Sequence, residues 1–154
     1  MIRTIALVAA VQLAATGLAV APQLSARVAG DEIQLRVEPL DPIDPFRGAY
    51  VALDYPDLRL DREMTGEHGD VYISLVDDGS TMKAGGWSRT RPEDGTYLTC
   101  SDRDWQVECG IESWFVPQDK AHALEDAVRD GDVVATVKVD SRGHAAIVAV
   151  AADS

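Results

Sequence analysis

The chain of 154 residues begins with an uncharged run that is long enough to cross a lipid bilayer. The run covers 23 residues, numbers 4–26, and is rich in alanine, leucine and valine. As an α-helix it would be about 35 Å long, against about 30 Å for the hydrocarbon core of a bilayer. No polar face interrupts the run, which disfavours a buried helix of a soluble core. We therefore expect residues 1–26 to form a membrane anchor, and residues 27–154 to fold as one domain.

A cleaved signal peptide is the alternative to an anchor. Residues 19–21 (Ala-Val-Ala) have the spacing of a cleavage site, but Pro22 follows and disfavours a cut there. Residues 24–26 (Leu-Ser-Ala) form a poorer site, because a large residue lies three positions before the cut. The anchor is the favoured interpretation, and cleavage stays open. Arg3 and the α-amino group together favour a cytoplasmic N-terminus, and Arg27 opposes it. The domain is therefore expected outside the cytoplasm, on the periplasmic side.

The acidic balance excludes two kinds of partner. The chain has 14 basic and 26 acidic residues, for a formal charge of −12. Arg3 is the one basic residue before Arg27, so residues 27–154 carry 13 basic and all 26 acidic residues, for a charge of −13. Nucleic-acid binding needs a basic surface, so no nucleic-acid partner is expected. Anionic headgroups repel such a domain as a whole, so attachment depends on the apolar run.

Hydrophobic periodicity predicts an α+β domain that is mainly β, a sandwich or partly open barrel of about seven strands with one helix. A change to helical spacing predicts the helix at residues 118–130, with Gly131 at the position of its C-terminal cap. Residues 77–95 are rich in glycine, aspartate and serine and are predicted to form a loop. The predicted strands cover residues 33–37, 50–55, 71–75, 97–100, 107–116, 133–139 and 144–150.

The two cysteines are predicted to form a structural disulfide. If a hairpin turns between Asp104 and Trp105, opposed residues have numbers that add up to 209, and Cys100 faces Cys109. A directly opposed antiparallel pair can be close enough for a disulfide, which would persist outside the cytoplasm. Closing this ring would contribute about 2–3 kcal/mol. The alternative, a redox or nucleophilic cysteine, has no Cys-x-x-Cys spacing or nearby histidine to support it.

Two separate blocks of the chain carry a motif. The first covers residues 44–55 (Asp-Pro-Phe-Arg-Gly-Ala-Tyr-Val-Ala-Leu-Asp-Tyr), and the second covers residues 109–117 (Cys-Gly-Ile-Glu-Ser-Trp-Phe-Val-Pro). The first block resembles the signature of the GDYXXLXY family of short, membrane-anchored prokaryotic proteins, with Ala49 in the place of the aspartate, and the second resembles the family's Gly-Ile-Glu and Phe-Val-Pro segments. The resemblance assigns no activity to the chain. It implies a neighbouring multi-pass membrane protein, because members of the family are often encoded beside such proteins. The motif residues are Arg47, Gly48, Tyr50, Leu53, Tyr55, Gly110, Ile111, Glu112, Phe115, Val116 and Pro117.

The motif has an architectural and a chemical interpretation. Tyr50 lies on the opposite strand face from Leu53 and Tyr55, which predicts a central strand packed on both faces. Glu112 precedes aromatic residues and is either an ion-pair partner of Arg47 or a carboxylate with a raised pKa that acts as acid or base. The architectural interpretation is favoured, and a ligand platform that uses the tyrosines is the alternative.

Neither a metal site nor a cofactor is predicted. His68, His122 and His144 lack ligand spacing and are expected to be exposed. The carboxylates between residues 54 and 63 lack the alternating ligands and central glycine of a calcium loop.

The sequence as a whole predicts a single-pass, membrane-anchored envelope protein. The leading hypothesis is a non-enzymatic accessory subunit that binds an integral membrane protein through residues 4–26, where Ala10, Ala14 and Gly17 allow close helix packing. The alternative is an envelope enzyme or ligand-binding domain that uses Tyr55 and Glu112.

Overall fold

A computed structural model describes residues 2–39, 50–59, 68–103, 106–115 and 133–152. A long N-terminal helix, α1 (Ile2–Ala29), precedes the strands, and Pro56–Leu58 form a 3₁₀ turn. The strands of the described residues are β1 (Asp31–Arg36), β2 (Glu38–Pro39), β3 (Tyr50–Asp54), β4 (Gly69–Asp78), β5 (Thr81–Ser88), β6 (Tyr97–Arg103), β7 (Gln106–Glu108), β8 (Ser113–Phe115), β9 (Val133–Val139) and β10 (Ala145–Ala152).

The strands form three antiparallel sheets. Their orders are β1-β9-β10, β2-β3-β8 and β5-β4-β6-β7, and within the described ranges no sheet closes into a barrel. The prediction of a mainly β, α+β chain with an apolar N-terminal helix is therefore confirmed. The predicted helix at residues 118–130 and its cap at Gly131 lie outside the described residues.

The strand predicted for residues 107–116 is divided into β7 and β8. Gly110 lies between them with a φ of 80°, a left-handed conformation that breaks an extended strand. The chain therefore turns at this point, and β8 joins β3 instead of continuing beside β6. One long apolar segment thus contributes to two different sheets.

The prediction of a loop over residues 77–95 is wrong for residues 81–88, which form β5, and for residues 77–78, which end β4. β5 pairs with β4, and the register shifts beside Ser74, where Gly85 is the extra residue of a bulge. A Cβ added at Gly85 would lie 2.6 Å from Val76 Cγ1, so the close approach of the two strands requires a glycine. The glycines that indicated a loop instead allow a bulged edge strand.

The core consists of the inward-facing residues of the strands, in the alternation that the sequence predicted. β3 departs from its prediction: Leu53 and Tyr55 are buried, but Ala52 on the other face is exposed, so this strand is packed on one face at that position. The largest fully buried side chains of the described residues are Leu35, Val37, Leu53, Val71, Ile73, Leu98, Ile111, Val133 and Val137.

The helix α1 has two parts with different surroundings. Residues 2–21 are exposed throughout, and within the described chain α1 is the one helix long and apolar enough to cross a membrane, with a mean hydropathy of 2.0. Its last two turns pack against β9 and β10, with Ala26 fully buried. An added Cβ at Gly30 would lie 2.8 Å from the backbone nitrogen of Val139, so the chain leaves the helix in close contact with β9.

Candidate functional site

The two motif blocks lie side by side in the fold. β3 and β8 pair so that Tyr50 is opposite Phe115 and Ala52 is opposite Ser113. The Leu53 amide then donates to the carbonyl of Glu112 at 2.9 Å, which extends the contact beyond the strands. Phe115 is 63% exposed on β8. Of the predicted motif residues, Arg47, Gly48, Val116 and Pro117, together with Ala49, lie outside the described part of the chain.

Tyr55 connects the end of the first block to the second. Its side chain is buried, and its hydroxyl donates to the carbonyl oxygen of Ile111 at 2.8 Å. Burial raises the pKa of Tyr55 far above its usual value, and the nearby charge of Glu112 adds to the shift. The hydroxyl therefore stays protonated at any physiological pH and serves as a hydrogen-bond donor to the backbone.

Glu112 closes the turn between β7 and β8. Its Oε1 accepts the backbone N–H of Cys109 and that of Gly110, the latter at 3.1 Å. Backbone N–H groups in a turn otherwise need water or a side chain as acceptor, so the carboxylate fixes the conformation of this segment. The predicted partner Arg47 is outside the described residues, and the contacts that are described give Glu112 a structural role.

The disulfide between Cys100 and Cys109 is present, as the register predicted. Ser101 pairs with Glu108 and Asp102 with Val107, so the hairpin turns at the expected position. The bond closes the β6–β7 hairpin beside the turn that Glu112 caps. It thereby holds residues 109–112 against the core, where Ile111 is 1% exposed.

The last turns of α1 contact this turn and a second one. The Gln23 amide donates from Nε2 to the carbonyl oxygen of Gly110 at 3.3 Å. Two residues further along the helix, the Ser25 hydroxyl donates to Asp140 Oδ2 at 2.6 Å, at the tip of the β9–β10 hairpin. The helix is therefore bonded to two separate segments of the domain, and neither contact was predicted from the sequence.

Asp140 organises the β9–β10 hairpin. Its Oδ1 accepts the backbone N–H of Arg142 at 2.8 Å and of His144 at 3.0 Å, while Oδ2 lies 3.1 Å from His144 Nδ1. Burial by itself would raise the pKa of Asp140, but the hydrogen bonds, that of Ser25 first, outweigh it and lower the pKa to about 2. Asp140 directly precedes a short turn, where aspartate side chains commonly accept backbone N–H groups, but its bond to Ser25 crosses 115 positions.

The same hairpin packs against β6. The Thr99 amide donates to the carbonyl of Gly143 at 2.8 Å, and the Tyr97 hydroxyl donates to the carbonyl of Ser141 at 3.1 Å. Gly143 has a φ of 78°, and an added Cβ there would lie 2.6 Å from Thr99 Oγ1 and from Tyr97 Cε2. The hairpin thus joins α1 on one side and the β6 sheet on the other.

Ser25, Asp140 and His144 are the residue types of a hydrolase triad, but their order is different. In a triad the histidine lies between serine and aspartate and takes the serine proton. Here the carboxylate lies between the other two, and within the described contacts the His144 ring bonds to Asp140 rather than to Ser25. Among the described residues, no imidazole bonds to this hydroxyl, and the contacts that are described give the cluster a structural role.

The other titratable residues include a partly buried pair, Arg89 with Asp102, and several surface contacts. His144 is half-buried, contrary to the expected exposure, because Asp140 holds its ring; His68 is exposed, and His122 lies outside the described residues. Asp54 and Asp57 bond to Arg59 and Arg36. Among the described residues, no group of three or more histidine, cysteine, aspartate or glutamate side chains is arranged to hold a metal ion.

Comparison with known proteins identifies the family. A family model described as GDYXXLXY protein matches residues 12–150, a range that includes both motif blocks, the end of α1 and the β9–β10 hairpin. Neither the curated proteins nor the solved structures include a significant match to the chain. With most of its length matched by that model, the chain belongs to the GDYXXLXY family.

Proposed function

We propose that the protein is a single-pass, membrane-anchored envelope protein, and that it acts as a non-enzymatic accessory subunit of an integral membrane protein. The observation that carries this proposal is the division of α1. Residues 2–21 are exposed on every side and, apart from Arg3 near the start, uncharged, and their length of about 30 Å equals the thickness of the hydrocarbon core. A helix that is apolar all round and not covered by its own domain is suited to lipid or to another membrane helix.

The disulfide supports a location of the domain outside the cytoplasm. Disulfides persist in oxidising compartments and are rare where glutathione keeps thiols reduced. Cys100 and Cys109 are both in the bond, and the pairing closes a hairpin of the core. The domain would then lie on the periplasmic side, with the N-terminus of α1 in the cytoplasm.

The contacts of the motif residues support a non-enzymatic role. The hydroxyl of Tyr55 and the carboxylate of Glu112, which the enzyme alternative would use, are bonded to the backbone of residues 109–111. A general acid or base must reach the proton that it transfers. Both groups are instead used in joining β3 to the turn beneath the disulfide.

The partner is proposed to bind the exposed part of α1. Ala10, Ala14 and Gly17 lie on one side of the helix and are exposed, and an added Cβ at Gly17 would meet nothing within 4 Å. In lipid, small residues allow the backbones of two helices to approach closely, which provides dispersion contacts and helix association. A multi-pass protein would supply the second helix.

The test is purification of the full-length protein from its native membrane in a mild detergent, with mass spectrometry of the proteins that accompany it. We expect a multi-pass protein to copurify with the wild type in stoichiometric amount. It should no longer copurify with the variants Ala14→Leu and Gly17→Leu, and it should still copurify with Ala15→Leu. Ala15 is the matched control, because it lies about 100° around the helix from Ala14. The intact mass shows whether residues 1–21 remain attached.

Two outcomes would contradict the proposal. If the intact mass shows that residues 1–21 have been removed, the N-terminal segment is a cleaved signal peptide and not an anchor. Recovery of the wild-type protein without any companion would reject the accessory subunit. In that case the enzyme or ligand-binding alternative would be tested by thermal-shift screening against metals and cell-wall fragments.

A further inference from the structure

Three arginines surround the junction of α1 with the domain, although the chain is acidic. Arg27 lies exposed in the last turn of α1, and Arg142 lies at the tip of the β9–β10 hairpin with 57% of its side chain exposed. Arg91 follows β5, and its Nη2 donates to the carbonyl of Ser141 at 2.9 Å, beside Arg142. Carboxylates lie at the same end, since Asp31 and Glu32 begin β1 and Asp140 pairs with Arg142, so the arginines provide separate contact points and not a net positive surface.

The guanidinium groups of Arg91 and Arg142 are held in place by hydrogen bonds that use only some of their N–H donors. Arg142 donates from Nη2 to Ser25 Oγ at 3.1 Å, and Arg91 donates from Nε to the Tyr97 hydroxyl at 2.5 Å. A guanidinium has five N–H donors, so each group retains several that point elsewhere. The buried carboxylate of Asp140 lies 3.7 Å from Arg142 Nη2 and offsets part of its charge, while 57% of the Arg142 side chain stays exposed.

The length of α1 places these groups at the depth of lipid headgroups. If the exposed residues 2–21 span the hydrocarbon core, Ser25 lies about 6 Å beyond its edge. The headgroup layer is about 5–7 Å thick on each side of the core. Arg142, which bonds to Ser25, is then at the level of the lipid phosphates, and Arg91 is beside it.

We propose that Arg27, Arg91 and Arg142 bind the phosphates of the phospholipids around α1 and so fix the tilt of the domain on the membrane surface. The proposal rests on the anchor of the proposed function. A membrane-spanning helix by itself does not fix its tilt, which depends on its packing and on anchors at the interface. Since the last turns of α1 are bonded to the domain at Gly110 and Asp140, helix and domain tilt together. Arginine suits this task because its planar fork matches phosphate oxygens.

The experiment uses the full-length protein in lipid nanodiscs, with a fluorophore on Ser141→Cys at the hairpin tip. The native cysteines are bonded to each other, so the label attaches to the new thiol. A quencher on the lipid headgroup reports how closely the hairpin contacts the surface. Discs of phosphatidylglycerol are compared with discs of a phosphate-free glycolipid. Measurement of the wild-type domain in both lipids separates phosphate binding from simple proximity.

We expect strong quenching in the phospholipid discs and a decrease in the glycolipid discs. The double variant Arg91→Gln/Arg142→Gln should shift the ratio of contacting to non-contacting hairpin by about fivefold per arginine in phospholipid. Arg91→Lys/Arg142→Lys should restore much of the contact. The control Arg36→Gln/Arg59→Gln, with the same change in charge, should leave quenching unchanged, because Arg36 lies five residues along β1 from the junction, about 17 Å away.

The outcomes separate this inference from the anchor. Equal quenching in both lipids, or in the wild type and the glutamine double variant, would overturn the inference while the protein remains in the discs. Release of the wild-type protein from the discs would overturn the anchor and this inference with it. If the glutamine double variant does not fold, the quenching of the wild type and of the lysine double variant is compared between phospholipid and glycolipid discs, and this comparison decides the question.

Discussion

Replacing Asp140 by asparagine would remove the charge on which the β9–β10 hairpin and the end of α1 converge. The carboxylate accepts hydrogen bonds from the Ser25 hydroxyl and from the backbone N–H groups of Arg142 and His144. Asparagine keeps one carbonyl oxygen for the backbone donors. Its amide nitrogen takes the place of the second oxygen and cannot accept the Ser25 proton. The change therefore tests the charge and the bond to the helix more than the turn itself.

The magnitude follows from the pKa of Asp140. The folded protein lowers this pKa from 3.8 to about 2, and each unit corresponds to about 1.4 kcal/mol of stabilisation of the charged form. At neutral pH the charge therefore contributes about 2 kcal/mol to the free energy of unfolding. Because the folded-state pKa is the lower one, the contribution is complete above about pH 4 and is lost as the pH falls to about 2.

The assay is urea unfolding of full-length wild type and Asp140→Asn in nanodiscs, followed by tryptophan fluorescence. We expect the variant to be less stable by about 2 kcal/mol at pH 7, with a difference that shrinks towards zero near pH 2. Asp77→Asn is the matched control, because Asp77 Oδ1 accepts the N–H of Gly79 two residues on but is exposed. Its effect should stay within about 0.5 kcal/mol.

Two results would refute this reasoning. If Asp140→Asn and Asp77→Asn lose the same stability at pH 7, burial of the Asp140 carboxylate has no special effect. If the loss in Asp140→Asn is the same at pH 7 and near pH 2, it arises from packing and not from the charge. A double-mutant cycle with Ser25→Ala then measures the bond to the helix directly, with an expected coupling of about 1 kcal/mol.

Three further substitutions test the contacts of the motif and the hairpin. Tyr55→Phe should lower the free energy of unfolding by about 1 kcal/mol, since the carbonyl of Ile111 loses a buried donor; an unchanged urea midpoint would contradict the bond. Gly143→Ala should cost at least about 2 kcal/mol more than Gly79→Ala in the same titration, because both have positive φ but an added Cβ at Gly79 meets nothing within 4 Å. Glu112→Gln keeps an acceptor oxygen, so thermal unfolding should show a free energy of unfolding that is lower by about 1 kcal/mol or less. If this variant were as stable as the wild type but failed to replace it in the cell, the enzyme alternative would be supported.

Local patterns in the sequence predicted most of the strands. Alternation of apolar and polar residues is a property of neighbouring positions, so β1, β4, β6 and β9 were predicted from it. The disulfide was predicted for a related reason, since a hairpin with a short turn has a register that numbering alone defines.

The errors in the strand prediction have a common cause. Glycine-rich β5 was predicted as a loop because glycine has low strand propensity, and the need for Gly85 arises from Val76 on the neighbouring strand. The segment after Val107 was predicted as one strand because its apolar residues continue through Gly110. Whether a glycine interrupts a strand or permits a bulge depends on what the paired strand brings opposite it.

The sequence by itself determined the apolar helix, the mainly β class, the disulfide and the family, because each depends on composition or on order along the chain. The tertiary structure decided what the chemical residues do. It directed Tyr55 and Glu112 to the backbone of one turn, and brought Ser25 to Asp140 across 115 positions. Such contacts depend on how separate sheets and the helix pack together, and no local pattern encodes that packing.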